Sequence, residues 1–216
     1  MLEDRRALDV CVLSSHTSIA GRDHRAVLHS AIEGGAPAVQ LRAPELTDIE
    51  LLPIAAELAE RCRAAGVLFV VNDRIDVAIE SGADGVHLGQ ADDPAGARRT
   101  LGSDRLLGIS AGETDEVRAA ELAGADYLGV TVWSTPTKPN AIPRGLEGLR
   151  RLAGLTPLPV VGIGGIFTSN AELVLEAGAA GIAVISAVAC APDPVEATRE
   201  LVAVVQRFRG RGDVAP

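Results

Sequence analysis

The chain has 216 residues, of which 47% are hydrophobic, and it carries a formal net charge of −9. This length fits one large α/β domain or, less well, two small ones, and the acidic balance argues against nucleic acids and anionic membranes as partners. The sequence has no apolar run of membrane-spanning length and no hydrophobic signal core at its N-terminus, which predicts a cytoplasmic protein. A phosphorylated substrate remains compatible with this charge, because a pocket can be locally positive.

Eight short apolar segments alternate with helical patterns from one end of the chain to the other. Each segment is apolar on both alternating faces, as in a parallel sheet that is buried on both sides. The predicted strands are Leu8–Leu13, Ala38–Arg42, Leu68–Asn72, Gly85–Leu88, Leu106–Ser110, Tyr127–Val132, Val160–Gly164 and Gly181–Ile185.

Local signals mark several helix starts between these strands. The pairs Thr47/Glu50 and Ser169/Glu172 have the spacing of capping boxes, and Asp193 before Pro194 marks the start of the last helix. Pro53 either kinks the second helix or marks its first turn.

A Gly-Ala pair precedes every second predicted strand, at Gly35-Ala36, Gly82-Ala83, Gly124-Ala125 and Gly178-Ala179. The glycine suits a left-handed helix C-terminus. Because the pairs precede strands two, four, six and eight, the repeating unit is two βα modules. Four such units favour a closed barrel over an open sheet. We therefore predict a single (β/α)₈ TIM-barrel domain over residues 1–216.

The basic residues and the cysteines add two further signals. Nineteen basic residues are Arg, and the only Lys is Lys138. Because an ammonium and a guanidinium are not interchangeable, this Lys indicates a position where Arg would not serve, although chance also explains it. Cys11, Cys62 and Cys190 match no zinc or disulfide spacing, so we predict buried thiols in a reducing compartment.

The ends of strands seven and eight consist mainly of glycine and other small residues, which predicts a phosphate site. Active sites of such barrels lie at the carboxyl ends of the strands. Residues 162–165, with sequence GIGG, end strand seven, and Ile185-Ser186-Ala187 ends strand eight. Backbone N–H groups there can approach an anion closely. A tight turn alone would also explain the glycines.

Two carboxylates predict a metal site at the same end of the barrel. Asp73 and Asp92 follow neighbouring strands, and Mg²⁺ typically takes one or two carboxylates together with phosphate oxygens and water. The alternative for Asp73 is a cap on the following helix. Arg42, Asn72 and Lys138 could then bind the pyrophosphate end of a substrate.

The segment Thr135–Pro139 is a hydroxyl-rich loop that carries the single Lys. Its prolines also fit a simple stiffened connection, but its place at the rim favours a functional role. We interpret His87, within strand four, as a hydrogen-bonded core histidine rather than a base. The sequence shows no Ser-His-Asp or Cys-His set.

Five stretches carry a family resemblance over nearly the whole chain. They are VQLR (39–42), VVNDRIDVAIESGADGVHLGQADDP (70–94), GIS (108–110), GADYLGVTVWSTPTKPNA (124–141) and PVVGIGGIFTSNAELVLEAGAAGIAVISAV (159–188). With NDR, GADGVHLGQ and TPTK together, the chain resembles the thiamine-phosphate synthase family. The resemblance implies a (β/α)₈ barrel that condenses 4-amino-5-hydroxymethyl-2-methylpyrimidine pyrophosphate with hydroxyethylthiazole phosphate and releases pyrophosphate.

The resemblance also implies a role for each matching residue. The pyrimidine pyrophosphate would contact Gln40, Arg42, Asn72, Ser110 and Lys138, of which Arg42, Ser110 and Lys138 would be catalytic. Mg²⁺ would be held by Asp73 and Asp92. The thiazole phosphate would be held by Thr135, Thr137, Gly165, Ile185 and Ser186. The implied partners are these two small molecules, and a homo-oligomer is left open.

Three departures from the family pattern keep two alternatives in view. Pro44 stands where the family has a Lys after QLR, Ser14-Ser15-His16 replaces a Thr-Asp ending of the first strand, and residues 129–134 lack the usual Gly-Pro-rich sequence. The alternatives are a non-catalytic paralogue that binds thiamine precursors or a protein partner, and a thiazole tautomerase-like isomerase. The isomerase carries a His near the end of strand six, where this chain has Thr131.

Overall fold

The structure is a computed structural model that describes residues 5–15, 21–90, 92–134 and 141–212. Eight parallel strands form a closed barrel, in which each strand pairs with the next along the chain and β8 pairs with β1. The strands are β1 (Val10–Leu13), β2 (Ala38–Leu41), β3 (Leu68–Asn72), β4 (Gly85–Leu88), β5 (Leu106–Ser110), β6 (Tyr127–Thr131), β7 (Val160–Ile163) and β8 (Gly181–Val184). The predicted (β/α)₈ architecture is confirmed.

Helices alternate with the strands and surround the barrel. In the described residues they are α1 (His24–Glu33), α2 (Asp48–Ala65), α3 (Ile75–Ser81), α4 (Pro94–Leu101), α5 (Thr114–Leu122), α6 (Gly145–Ala153), α7 (Ala171–Glu176), α8 (Ser186–Ala189) and α9 (Pro194–Gly212). None of them is long and apolar enough to cross a membrane.

The Gly-Ala pairs form four copies of one turn, as the repeat predicts. The four glycines have φ values of 84°, 74°, 78° and 96°, which L-residues with a side chain rarely adopt. In each copy the alanine N–H donates to the carbonyl five residues earlier, as Ala36 does to Ala31 at 3.0 Å. The turn closes each helix and directs the chain into the next strand.

The first strand is shorter than predicted. Leu8 ends a 3₁₀ helix (Arg5–Leu8) and does not begin β1. Its carbonyl lies against Gly181, where any Cβ would collide with it, and the neighbouring Asp9 pairs with Arg209 at 3.0 Å. These long-range contacts fix the chain before Val10, so only four residues remain for the strand.

Two helix starts follow the local signals and one does not. Thr47 and Glu50 form the predicted capping box, and Asp193 accepts the Glu196 N–H at 3.0 Å. The predicted box at Ser169/Glu172 is wrong, because α7 begins after Asn170. Pro53 lies inside α2, since that helix already begins at Asp48.

The apolar core is divided into two clusters. The larger cluster lies between the barrel and the helices and includes Leu28, Leu58 and Leu128. The smaller one lies inside the barrel and consists of Leu8, Cys11, Leu13, Ala38, Tyr127, Val161 and Ala183. These side chains, of which Cys11, Ala38 and Ala183 are small, leave a cavity inside the barrel, in contrast to the packed layers usual in this fold.

Candidate active site

A cavity of about 450 Å³ runs from the carboxyl ends of the strands into the barrel. Seven of the predicted site residues line it: Gln40, Arg42, Asn72, Asp73, Asp92, Ser110 and Ile185. Gly165 and Ser186 are not in the lining but directly follow Gly164 and Ile185, which are. The predicted residues Thr135, Thr137 and Lys138 lie outside the described residues.

A polar belt crosses the cavity and consists of Gln40, Asn72, His87 and Ser110. These side chains come from β2, β3, β4 and β5 and share the inward face of the sheet. Gln40 is 4% exposed, so its amide is available to a ligand in the cavity rather than to bulk water. The belt offers both hydrogen-bond donors and acceptors to a ligand in the cavity.

Each of the two ring nitrogens of His87 lies within hydrogen-bond distance of another side chain inside the barrel. Nδ1 lies 3.1 Å from the Tyr127 hydroxyl, and Nε2 lies 3.1 Å from Ser110 Oγ. Gly108 and Gly129 make room for this group, because a Cβ at either position would press against the His87 ring. The interpretation of His87 as hydrogen-bonded is confirmed, but it also lines the cavity and orients the Ser110 hydroxyl.

Two potentially reactive side chains that line the cavity, Cys11 and Tyr127, are not ionised. Burial raises the pKa of the Cys11 thiol to about 12, so the thiol stays protonated at neutral pH. Burial also raises the pKa of Tyr127 well above its ordinary value. Both side chains therefore line the cavity in their uncharged forms, which suits chemistry that depends on binding and charge stabilisation. Cys190 is exposed and free, so the prediction of three buried thiols is wrong at this position.

Arg42 is positioned by the end of β1. Ser14 Oγ accepts the Arg42 backbone N–H at 3.0 Å and donates to the Arg42 carbonyl at 3.2 Å. The Ser15 hydroxyl lies 3.5 Å from Arg42 Nη1. Ser14 and Ser15 are both buried, so the two serines that depart from the family pattern fix the strand end that presents this guanidinium.

Asp73 and Asp92 face the same cavity from the ends of β3 and β4. Asp73 has a φ of 64°, and its N–H donates to the His87 carbonyl at 2.9 Å. Asp92 Oδ2 accepts the Gly89 N–H at 2.7 Å. Arg74, rather than Asp73, occupies the N-cap of α3.

The two carboxylates fit a partly hydrated Mg²⁺ better than a closed metal site. Within the described part of the chain, no three His, Cys, Asp or Glu side chains group together as metal ligands would. Two hard oxygen donors at the mouth of a cavity leave the other coordination positions to water and phosphate, as Mg²⁺ prefers.

The turn after β7 lies next to the segment that precedes the predicted phosphate loop. Gly164 and Gly165 have φ values of 95° and 65°. A Cβ at Gly165 would lie 3.1 Å from Trp133 Cβ and 3.5 Å from the Ser134 carbonyl oxygen. Ala141, on the other side of residues 135–140, lines the cavity. Trp133 and Ser134 therefore lie beside the turn after β7, at one side of the rim.

A family model for thiamine monophosphate synthase matches residues 10–188. The chain belongs to this family. A thiamine-phosphate synthase of Moorella thermoacetica is 49% identical over 88% of this chain and 92% of its own length. One from Chloroflexus aurantiacus is 48% identical over 86% and 87%. The solved structure of a thiamine phosphate pyrophosphorylase from Pyrococcus furiosus superposes with a TM-score of 0.85 at 37% identity and covers 94% of this chain and 98% of its own.

In this member of the thiamine monophosphate synthase family, a partly exposed carboxylate also organises the rim. Glu116 Oε2 accepts the Gln90 side-chain amide at 2.8 Å and the backbone N–H groups of Gly112 and Glu113 at 2.6 and 2.9 Å. Burial raises the pKa of Glu116, but these hydrogen bonds and the Arg144 charge outweigh it and lower the pKa. The ionised carboxylate therefore holds Gln90 at the cavity mouth.

Sequence reasoning missed Tyr127 and Glu116 as parts of the site. Tyr127 begins β6 and is the only Tyr of the chain, which was the available signal. Glu116 lies in the first turn of α5, where an acidic residue is ordinary. Their roles depend on partners 40 and 26 residues away, and no local pattern indicates such pairs.

Proposed function

We propose that the protein is a thiamine-phosphate synthase, a transferase that joins 4-amino-5-hydroxymethyl-2-methylpyrimidine pyrophosphate to hydroxyethylthiazole phosphate. The observation that carries the proposal is one cavity with Arg42, Asp73 and Asp92 at its mouth and the polar belt beneath them, in a chain of this family. The Arg42 guanidinium and a Mg²⁺ ion held by the two carboxylates would suit a pyrophosphate, and the belt suits an uncharged ring.

The reaction breaks the bond between the pyrimidine methylene carbon and the pyrophosphate oxygen. The electron pair leaves with pyrophosphate, a pyrimidine-methyl cation forms, and the thiazole nitrogen then supplies the pair for the new C–N bond. Gln40, Asn72 and Ser110 hold the ring, while Arg42 and Lys138 stabilise the growing charge of the leaving group. Holding both substrates in line supplies the remaining rate, so no general base is required.

Asp73 and Asp92 would hold Mg²⁺ beside the pyrophosphate. When bound, the ion would neutralise part of the negative charge of the departing group. Through that ion, the two aspartates would direct the pyrophosphate end of the substrate toward the mouth of the cavity, while the belt keeps the pyrimidine ring below it.

Thr135, Thr137, Gly165, Ile185 and Ser186 would hold the thiazole phosphate. In support, Gly165 lies against the Trp133-Ser134 segment that leads to Thr135, and Ile185 lines the cavity just before α8. A site made from the last two strand ends is the usual phosphate position of this fold.

Replacing Gly165 with Ala should raise the KM for thiazole phosphate about tenfold and leave the KM for the pyrimidine substrate nearly unchanged. The new Cβ would crowd Trp133 and displace the turn. Because Gly165 has a left-handed backbone conformation, its replacement by Ala should also lower the free energy of unfolding by about 1–2 kcal/mol. Steady-state kinetics with each substrate varied and a urea titration measure the two effects.

The matched control is Gly66→Ala. Gly66 ends α2 in the left-handed conformation, with a φ of 68° and open space around its Cβ position, so this change should lower stability similarly and alter neither KM. Equal rises in both KM values for Gly165→Ala would show that this glycine serves only the fold.

The decisive experiment is formation of thiamine phosphate by the purified protein with both substrates and Mg²⁺. We expect product and stoichiometric pyrophosphate. Binding of both substrates without product would favour the non-catalytic paralogue, in keeping with Pro44 at the family's Lys position. Isomerisation of the thiazole alone would favour the tautomerase. Against that reading, Thr131 faces the cavity where the isomerase has a His, and both His87 nitrogens lie within hydrogen-bond distance of other side chains.

The setting of the enzyme follows from its sequence and substrates. We place it in the cytoplasm, with two phosphorylated small molecules as its partners and no role for nucleic acid or membrane. Size-exclusion chromatography with light scattering decides between a monomer and a homo-oligomer.

A further inference from the structure

The cavity continues below the polar belt into an apolar chamber, formed by Cys11, Ala38, Leu68, Val161 and Ala183. Strand register makes four of these residues neighbours around the barrel: Ala183 pairs with Cys11, Cys11 with Ala38, and Ala38 with Leu68. They form a continuous wall on β8, β1, β2 and β3.

The chamber lies deeper in the barrel than the belt. Ala38 precedes Gln40 by two residues on β2, and Gly108 precedes Ser110 by two on β5. Two residues of a tilted strand correspond to about 5 Å along the barrel axis. A group that reaches below the belt therefore enters the chamber.

The chamber is open because small side chains occupy positions that larger ones usually fill. Ala38 and Ala183 both face the cavity, where barrels of this fold commonly place branched residues. The hydroxyl of Tyr127, which also borders this space, is paired with His87. The chamber thus presents an apolar surface.

If the protein has the function proposed above, the substitution pattern of the pyrimidine identifies the group that would occupy this chamber. The pyrophosphate arm is on C5 and is directed to Arg42, Asp73 and Asp92 at the cavity mouth. C2 is opposite C5 in a six-membered ring, so a ring held by the belt directs its C2 substituent down the axis. We propose that the chamber is a specificity subsite for the C2 substituent and accepts alkyl groups longer than methyl.

The test uses pyrimidine pyrophosphates that carry hydrogen, methyl, ethyl or n-propyl at C2, titrated by calorimetry in the presence of Mg²⁺. Each added carbon should tighten binding about fourfold, as expected for burial of one methylene group. Binding of the propyl compound ten times weaker than that of the methyl compound would overturn the proposal.

Two variants should shift the preference in opposite directions. Ala183→Val narrows the chamber and should lower the ratio of propyl to methyl affinity about tenfold, while Leu68→Ala widens it and should raise the ratio. Because each ratio is measured within one variant, general damage to the protein cancels. Ala64→Leu, on the exposed face of α2, is the control and should leave the ratio unchanged. Equal ratios in all variants would contradict the assignment.

Turnover measured on the same samples separates this proposal from the proposed function. Formation of thiamine phosphate from the methyl compound, with no binding of the compounds with longer chains, would refute the chamber assignment and leave the proposed function unaffected. Binding graded by chain length without product from any compound would overturn the function and leave the chamber standing. Failure of every pyrimidine pyrophosphate to bind would overturn both.

Discussion

Replacing Lys138 with Ala should lower kcat by about 10²–10³, the range observed when one preorganised charge-stabilising donor is removed. Lys138 is the only Lys of the chain and lies in the TPTK motif. We expect its ammonium to face the pyrophosphate as that group departs. The interaction then strengthens as charge develops, so it lowers the barrier more than it tightens substrate binding.

The division between kcat and KM tests this role directly. Both KM values should change much less than kcat. Pro44 increases the expected effect, because the Lys that the family resemblance places there is absent. On the proposed mechanism, Arg42 and bound Mg²⁺ would then be the main remaining positive charges beside the leaving group.

Lys138→Arg and Arg99→Ala complete the experiment. The Arg variant should recover only part of kcat, because a planar guanidinium does not occupy the position of a compact ammonium. Arg99 is 74% exposed on α4, so its removal should leave kcat unchanged. A near-normal kcat for Lys138→Ala would reassign the leaving-group role to Arg42.

Replacing Asp73 or Asp92 with Asn should weaken Mg²⁺-dependent pyrophosphate binding about 10²-fold, or ~2.7 kcal/mol, as expected for the loss of one charged partner. In the unaltered protein, Mg²⁺ alone should bind weakly, because two carboxylates leave most of its octahedral shell to water and phosphate. Calorimetry with Mg²⁺ alone and with Mg²⁺ plus pyrophosphate measures both quantities.

Both substitutions are expected to preserve the backbone. At position 73, Asn tolerates the left-handed backbone conformation of Asp73. At position 92, the amide oxygen of Asn can still accept the Gly89 N–H. Asp93→Asn is the control, since Asp93 caps α4 and accepts the Gly96 N–H at 3.0 Å. Tight binding of Mg²⁺ alone, or the same affinity in the Asp92 variant, would refute the metal assignment.

The sequence by itself determined the barrel and the location of its active site. Strand periodicity and left-handed glycine turns depend on a few neighbouring residues, so Gly35, Gly82, Gly124 and Gly178 identify βα units without knowledge of distant contacts. Because all strands are parallel, their carboxyl ends meet at one rim. The placement of Asp73, Asp92 and Arg42 at this rim therefore follows from their positions in the chain alone.

The tertiary structure decided which side chains pair and how much space they leave. Asn170, rather than Ser169, governs the start of α7, because it accepts the Phe167 N–H at 2.8 Å and donates to the Gly165 carbonyl at 2.9 Å. By contrast, the His87–Tyr127 pair and the hydrogen bond from Gln90 to Glu116 join residues from different βα units. The apolar chamber results from small residues that meet only when β8 closes on β1. These contacts between units depend on closure of the whole barrel, and local sequence patterns do not encode them.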